Sequence, residues 1–200
     1  MPCYALDGIS PVVEKGAYVH PEAVLIGDVI VERGSYIAPF ASLRGDFGRI
    51  HIKANANVQD NCVIHAFPGV DVVVHERGHI GHSAILHGCI VEEGALVGMN
   101  TVVMDGAVIG AHSIVAAHSL VVSQQTIPTK MLALGSPANV VRELREEEVT
   151  WKSLGTNGYI ELTERCLASM QEVEPLNAVE PDRKRMVIDE SIKPKFAGER

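Results

Sequence analysis

The amino-acid sequence predicts a mainly β protein: one parallel β-helix of hexapeptide repeats followed by a C-terminal α-helix. Three features lead to that class. An aliphatic residue recurs at every sixth position, in four runs: Val13, Val19, Leu25, Val31, Ile37, Leu43; Ile52, Val58, Ile64; Ile80, Leu86; and Val91, Val97, Val103, Ile109, Val115. The fifth position of these sixteen hexads is small or β-branched in thirteen, from Ala17 to Ser119. Aromatic residues make up only 4% of a chain that is 46% hydrophobic, so Val, Ile, Leu and Ala must fill the core.

A period of six excludes an amphipathic helix, whose faces recur near 3.6 residues. It fits short strands separated by turns, with three hexads making one triangular coil of about eighteen residues. Coils stacked at the ordinary strand spacing, about 4.8 Å, rest each aliphatic residue on the one below. Gly16, Gly34, Gly94 and Gly106 fall at corners, where unusual backbone angles cost a glycine least. The repeat is expected over 10–124, with an extended exit segment over 125–142. Residues 143–174 read as helical. Tyr159, Leu162, Cys166, Leu167, Met170 and Val173 fall at three- and four-residue spacing, an apolar stripe to pack on the β-helix flank, and Pro175 ends it. A charged tail fills 175–200 and includes Arg183, Lys184 and Arg185.

The chain has 200 residues, a formal charge of −8 and a pI near 5.6, which argues against nucleic acid or an anionic membrane as partner. Its apolar runs are too short to span a membrane. MPCYALDGIS carries neither a basic n-region nor a long apolar stretch, so no secretory signal is read there. Cys3, Cys62, Cys89 and Cys166 form no CxxC pair and read as reduced thiols of a cytoplasmic protein.

The three hexads that break the fifth-position rule start at Leu43, Ile64 and Leu86, and their second residues are Arg44, His65 and His87. Local rules tend to fail at functional sites. Counting three hexads per coil puts Arg44, His65 and His87 in one outward column, with Gln59 and Asp60 below Gly81 and His82 on the preceding face. His65 and His87, one coil apart, can grip one metal ion. His82 cannot join them within one subunit, but can across a three-fold axis. The count therefore predicts a homotrimer with metal at each subunit interface, held by His65, His82 and His87. Three histidines with an open fourth position are the catalytic form of zinc ligation, and Fe²⁺ or Co²⁺ would also suit imidazole ligands. His79 reads as a bystander in a turn. His20, His51, His75, His112 and His118 read as surface or interface residues.

The strings LRGDFGRI, NVQDNCVIH and GHSAILHGC resemble the γ-class carbonic anhydrases within the hexapeptide-repeat superfamily. With SLRGDFGRI, LVGMN, VVMDGAVIG and the late RKR, the chain looks closer still to the branch of phenylacetic acid degradation protein PaaY and its carnitine-operon relative CaiE. The resemblance implies the left-handed form of the β-helix, a trimer, and His65, His82 and His87 as ligands. It also implies that Arg44, Asp46 and Asp60 form ion pairs at the trimer interface, and that Gln59, supported by Asn57, hydrogen-bonds the metal's water. Tyr159 matches a tyrosine that the branch places near the cleft, although core packing explains it as well. Phe47 stands where active carbonic anhydrases of the class have a Glu, and the loop AFPGVDVVVHERG lacks their proton-exporting acid, which puts CO₂ hydration in doubt. The expected function is a metal-dependent thioesterase cleaving aromatic or cyclic acyl-CoA thioesters in phenylacetate degradation. The alternatives are carbonic anhydrase, an accessory protein of CoA-dependent carnitine-type metabolism, and a hexapeptide acyltransferase.

Overall fold

The computed structural model describes residues 2–187, and in it the hexads wind into a left-handed parallel β-solenoid with one helix on its flank. Most strands are two or three residues long, because each coil must turn three times. The inward residues form three vertical ladders. Leu25, Leu43, Ile64, Leu86, Val103 and Val121 stack on one face. Val19, Ile37, Val58, Ile80, Val97, Val115 and Ala133 stack on the second. Val13, Val31, Ile52, Val74, Val91, Ile109 and Ile127 stack on the third. All but Val13 belong to the buried core. Burying such a side chain contributes about 1.5–3 kcal/mol. The small fifth-position residues are buried too, because they sit where a coil bends toward the axis.

Corners need left-handed backbone, and glycine supplies it only in part. Gly34 and Gly94 have φ of +71° and +60°, but Asn55, Asn61, Asn100 and His112 hold φ near +60° at equivalent turns. Asn tolerates that region better than most residues.

The stacking runs past residue 124. Thr126–Ile127 lies on Val108–Ile109, and Met131–Leu134 lies parallel on Ile114–Val115. Asn139–Glu143 then returns antiparallel along that last strand. The segment expected to exit as extended chain thus caps the solenoid, because Ile127 and Ala133 satisfy inward positions like any hexad residue.

The helix is Glu146–Ser169, shorter at both ends than the 143–174 read from the sequence. Its buried face also differs from the expected stripe. Leu167 and Met170 are more than half exposed, and Val173 lies beyond the helix. Tyr159, Leu162 and Cys166 of that stripe do pack on Tyr18 and Tyr36, and the polar residues Glu148, Lys152, Thr156 and Thr163 are buried beside them. The reason is the surface beneath. The residue preceding each inward position of the second ladder forms an outer column, Tyr18, Tyr36, Asn57 and His79, and this polar and aromatic surface takes a polar helix face. Arg142 donates two hydrogen bonds to Glu148, at 2.7 and 2.9 Å, and the Arg145 amide adds a third. Lys152 donates to the Arg77 carbonyl at 3.2 Å, and the Arg77 guanidinium reaches Ser153 and Asn157. Of the expected charged tail, residues 175–187 carry no helix or strand, and 188–200 lie outside the described residues.

Burial, with the charge of Arg77, pulls the Lys152 ammonium down to about 7. The unfolded chain, with an ordinary lysine near 10.4, binds more protons between those values, so this group makes stability rise with pH through that window. Urea denaturation should show wild type gaining stability from about pH 7 to 9 relative to Lys152→Met, in which this rise is absent.

Two glycines form a second test. A Cβ on Gly98 would stand 2.5 Å from the Ala117 nitrogen and 2.7 Å from the Ala116 carbonyl carbon, both backbone atoms of the next coil. A Cβ on Gly155, inside the helix, would meet nothing within 4 Å. Gly98→Ala should lower Tm, whereas Gly155→Ala should raise stability by about 0.5–1 kcal/mol in the same thermal and urea melts.

Candidate functional site

Strands Val63–His65 and Ile85–His87 are in parallel register, with His87 directly on His65. Arg44 follows Leu43, which pairs with Ile64, so Arg44 starts the same outward column. His65 Nδ1 and His87 Nε2 face each other at 3.2 Å. Each ring is held by its other nitrogen: His65 Nε2 lies 2.9 Å from Asp46, and His87 Nδ1 lies 2.6 Å from Asp105. Arg44 donates to the second Asp46 oxygen at 2.6 Å. Desolvation opposes the Asp46 charge, but the hydrogen bonds from Arg44 and His65 outweigh it and hold this carboxyl below its usual range. Phe47 packs on the His65 ring and Phe67 on the His87 ring, with centroids 5.4 and 5.0 Å apart.

The chemistry of this pair follows from counting protons. A neutral imidazole has one N–H and one lone pair. If both N–H groups donate to Asp46 and Asp105, two lone pairs point at each other across 3.2 Å. A positive charge between them, a shared proton or a cation, resolves that opposition. Two nitrogens of a tetrahedral zinc shell, each about 2.0–2.1 Å from the ion, stand about 3.3–3.4 Å apart. The donor set, its spacing and its carboxylate supports therefore fit a divalent metal.

His82 sits on the neighbouring face, with its Nδ1 2.7 Å from Asp60 and both side chains nearly half exposed. Among the described residues of one chain, no group of three or more His, Cys, Asp or Glu comes together to hold a metal. Asp60 pairs here with His82, and Arg44 with Asp46, and among the described residues no ion pair joins Asp60 to Arg44.

His82 opens onto a cleft of about 480 Å³ between the solenoid flank and the helix. Its floor is small, because Gly81, Gly98 and Ala116 follow the inward ladder residues Ile80, Val97 and Val115. Leu96, Ile114, Leu132 and Trp151 supply apolar walls. The polar end holds Gln59, His79, His82 and Tyr159. Gln59 Nε2 lies 2.9 Å from Asn57 Oδ1 and 2.7 Å from His79 Nε2. His79 Nδ1 lies 3.3 Å from Thr156 Oγ1, and the Tyr159 ring meets the His79 ring edge-on at 5.3 Å. Burial, with the charges of Lys152 and His82, drives His79 down to about 3, so it is neutral at any physiological pH. Burial, helped by Asp60 and Cys62, pushes the Tyr159 phenol up to about 12.

The sequence-predicted residues thus fall into two groups. His65, His87, Arg44 and Asp46 form one cluster, and Gln59, Asn57, Tyr159 and His82 gather around the cleft. His79 is not the bystander expected from its number. It lies in strand His79–Ile80, over Asn57 and under Leu96, and its ring contacts Gln59 and Tyr159. Sequence reasoning also missed Asp105, which stands eighteen residues, one regular coil, after His87. That step was available: each of the three histidines has a carboxylate partner one coil away.

Comparison with known proteins sets this geometry in a family. Residues 88–123 match the family described as "Bacterial transferase hexapeptide (six repeats)". The "Carnitine operon protein CaiE" of Citrobacter koseri is 53% identical over 197 residues, covering 98% of this chain and all of the relative. The protein of the same name from Salmonella agona is 51% identical with the same coverage. A solved hexapeptide transferase family protein from Anaplasma phagocytophilum is 35% identical, with a TM-score of 0.79 over 82% of this chain and 97% of that one. The crystal structure of the BC4754 gene product of Bacillus cereus is 32% identical, with a TM-score of 0.82 over 83% of this chain and 96% of that one. These relatives carry the carnitine-operon and transferase names rather than those of carbonic anhydrase or phenylacetate degradation. With identity above one half along nearly its whole length, the chain belongs to the CaiE family of hexapeptide-repeat proteins.

Proposed function

We propose that the chain is an accessory protein of carnitine-type, CoA-dependent metabolism that binds an acyl-CoA thioester in the cleft beside Gln59 and His82. The observation that carries this reading is the near-full-length identity with proteins named for the carnitine operon. The cleft supports it. Its apolar walls suit an acyl chain, and its polar end suits a thioester carbonyl. Trp151 lines the cleft and is the single tryptophan of the chain, so its emission reports occupancy. An acyl-CoA should change that emission saturably and at lower concentration than free CoA. Ala117→Leu, which extends into the cleft from an exposed position, should weaken binding at least about tenfold without changing Tm, given what one added methylene does in an apolar pocket. Emission indifferent to acyl-CoA would sink the proposal.

The histidine pair favours a second reading, in which the bound thioester is hydrolysed with the help of a divalent metal, Zn²⁺, Fe²⁺ or Co²⁺. Such an ion would supply Lewis acidity and lower the pKa of water at the site. The protein's own residues do the rest. His65 and His87 present facing nitrogens, while Asp46 and Asp105 fix the rings. Phe47 and Phe67 keep bulk water from the pair. His82 of a second copy, in a trimer, would complete the set of three histidines. Gln59 would orient the attacking water, and Tyr159, a neutral phenol, could donate to the substrate. The phenyl rings at Phe47 and Phe67 offer no proton acceptor, which suits a thiolate leaving group better than the rapid proton export that CO₂ hydration demands.

Purified protein should contain about one divalent ion per chain, and Asp105→Asn should weaken its binding about 10- to 100-fold, as loss of a ligand's carboxylate support does. Chelation should abolish hydrolysis of acyl-CoA while leaving the Trp151 response. Equal hydrolysis by metal-free protein refutes this reading and leaves the binding proposal standing.

A further inference from the structure

We propose that His79 is a positioning residue that locks the Gln59 side chain with its carbonyl oxygen toward the cleft, so that this amide accepts hydrogen bonds from the cleft and donates none. The proposal deepens the hydrolytic reading and rests on it for its catalytic consequence, though not for its geometry.

Gln59 Nε2 has two neighbours within hydrogen-bond distance, Asn57 Oδ1 at 2.9 Å and His79 Nε2 at 2.7 Å. Asn57 Oδ1 can only accept. His79 Nε2 accepts if the ring proton is on Nδ1. That proton then points at Thr156 Oγ1, 3.3 Å away, whose own hydroxyl donates to the Lys152 carbonyl. Both Gln59 amide hydrogens are thus spent inside the protein, and Oε1 remains for the cleft. The one mismatch in this arrangement is the longer contact, 3.3 Å, between Asn57 Nδ2 and His79 Nδ1.

The opposite tautomer fares worse. A proton on Nε2 would face the Gln59 NH₂ at 2.7 Å, donor against donor. Turning the Gln59 amide to relieve that contact sets its oxygen against Asn57 Oδ1 at 2.9 Å. A neutral ring protonated on Nε2 would match Gln59 only if both amides inverted from the orientations seen here, which would set Asn57 Oδ1 against the bare Nδ1 at 3.3 Å, and a doubly protonated ring would need a buried cation. The groups around the ring do not favour one. Lys152 on the helix and His82 on the solenoid oppose positive charge at His79, Arg77 pairs into the same helix face, and Tyr159 is a neutral phenol. Gln59 therefore suits an O–H or N–H donor, such as an attacking water or an amide of the substrate. It cannot stabilise an oxyanion, so that task falls elsewhere in the site.

The test is nitrogen NMR of the full chain labelled at histidine, read alongside kinetics. His79 should show a protonated, pyrrole-like Nδ1 and a bare, pyridine-like Nε2, unchanged from about pH 5 to 8, where an ordinary histidine titrates. A proton on Nε2, or titration in that range, overturns the proposal whether or not the protein hydrolyses anything. His79→Leu removes the acceptor and should lower kcat about 10- to 100-fold with little change in KM. His79→Asn, whose amide oxygen can accept the same bond, should recover part of the loss. Undiminished turnover in folded His79→Leu also overturns the positioning role. Absence of hydrolysis in the wild type would refute the hydrolytic reading alone, because the ring-nitrogen pattern decides the orientation of Gln59 independently.

Discussion

The ladder of peptide hydrogen bonds between successive coils is the constraint on which everything else rests. It fixes each residue over one partner below and under one above, at a single strand spacing. The aliphatic ladders are its direct expression. A slip of one residue would turn His65 toward the axis and a valine toward water. The chain protects the register where it inserts residues. The turn after His65, containing Phe67, Pro68 and Gly69, swings outward, and Val72–Val74 then rejoins the stack on Ile50–Ile52. The extra residues set Phe67 against the His87 ring without moving the ladder.

A ladder that stacks leucine on isoleucine must also stack whatever polar residues occupy the outward positions. Histidine on histidine is an awkward neighbour, since neutral rings have as many lone pairs as protons. The solution here is a carboxylate one coil from each outward histidine that the helix leaves uncovered at the site: Asp46 by His65, Asp105 by His87 and Asp60 by His82. Cross-strand pairs of this kind stabilise sheets generally. In this molecule they also aim ring nitrogens, which is why the two facing nitrogens at His65 and His87 converge rather than splay apart.

Periodicity made the core and the His65–His87 column legible in the sequence, because both follow from counting by hexads from an inward residue. The same count places Gln59 beneath Gly81 and Asp60 beneath His82. It did not reach the helix. Leu167 and Met170 belong to a helical apolar stripe by spacing, yet they are exposed, whereas Tyr159, Leu162 and Cys166 of the same stripe pack on Tyr18 and Tyr36 and polar residues fill the rest of the buried face. An amphipathic pattern says which face is apolar, not what it meets. Reading the position before each inward residue, Tyr18, Tyr36, Asn57 and His79, exposes a column of large side chains that demands a cover, and it would have removed His79 from the bystanders. The end of the solenoid was missed for a related reason. Ile127 and Ala133 continue the inward pattern through a stretch rich in proline and glycine, where turn residues mask the period.

The cover decides what each histidine can be. His65 and His87 lie on a face that the helix leaves open, flanked by carboxylates that favour positive charge. Such a pair invites a proton or a cation. His79 lies beneath the helix, where Lys152 and desolvation both oppose charge, and no carboxylate touches its ring among the contacts of the described residues. It is therefore held as a neutral acceptor. Two kinds of histidine environment, facing rings fixed by carboxylates and a neutral ring fixed by hydrogen bonds, thus arise from one repeat through a single difference: whether a helix closes over the column. That difference explains a buried helix face built from Lys152, Thr156 and Thr163 rather than leucines. An apolar cover would exclude water equally well, but it would leave the His79 Nδ1 proton without the Thr156 oxygen, and the Gln59 amide would lose the fixed orientation that the ring imposes on it.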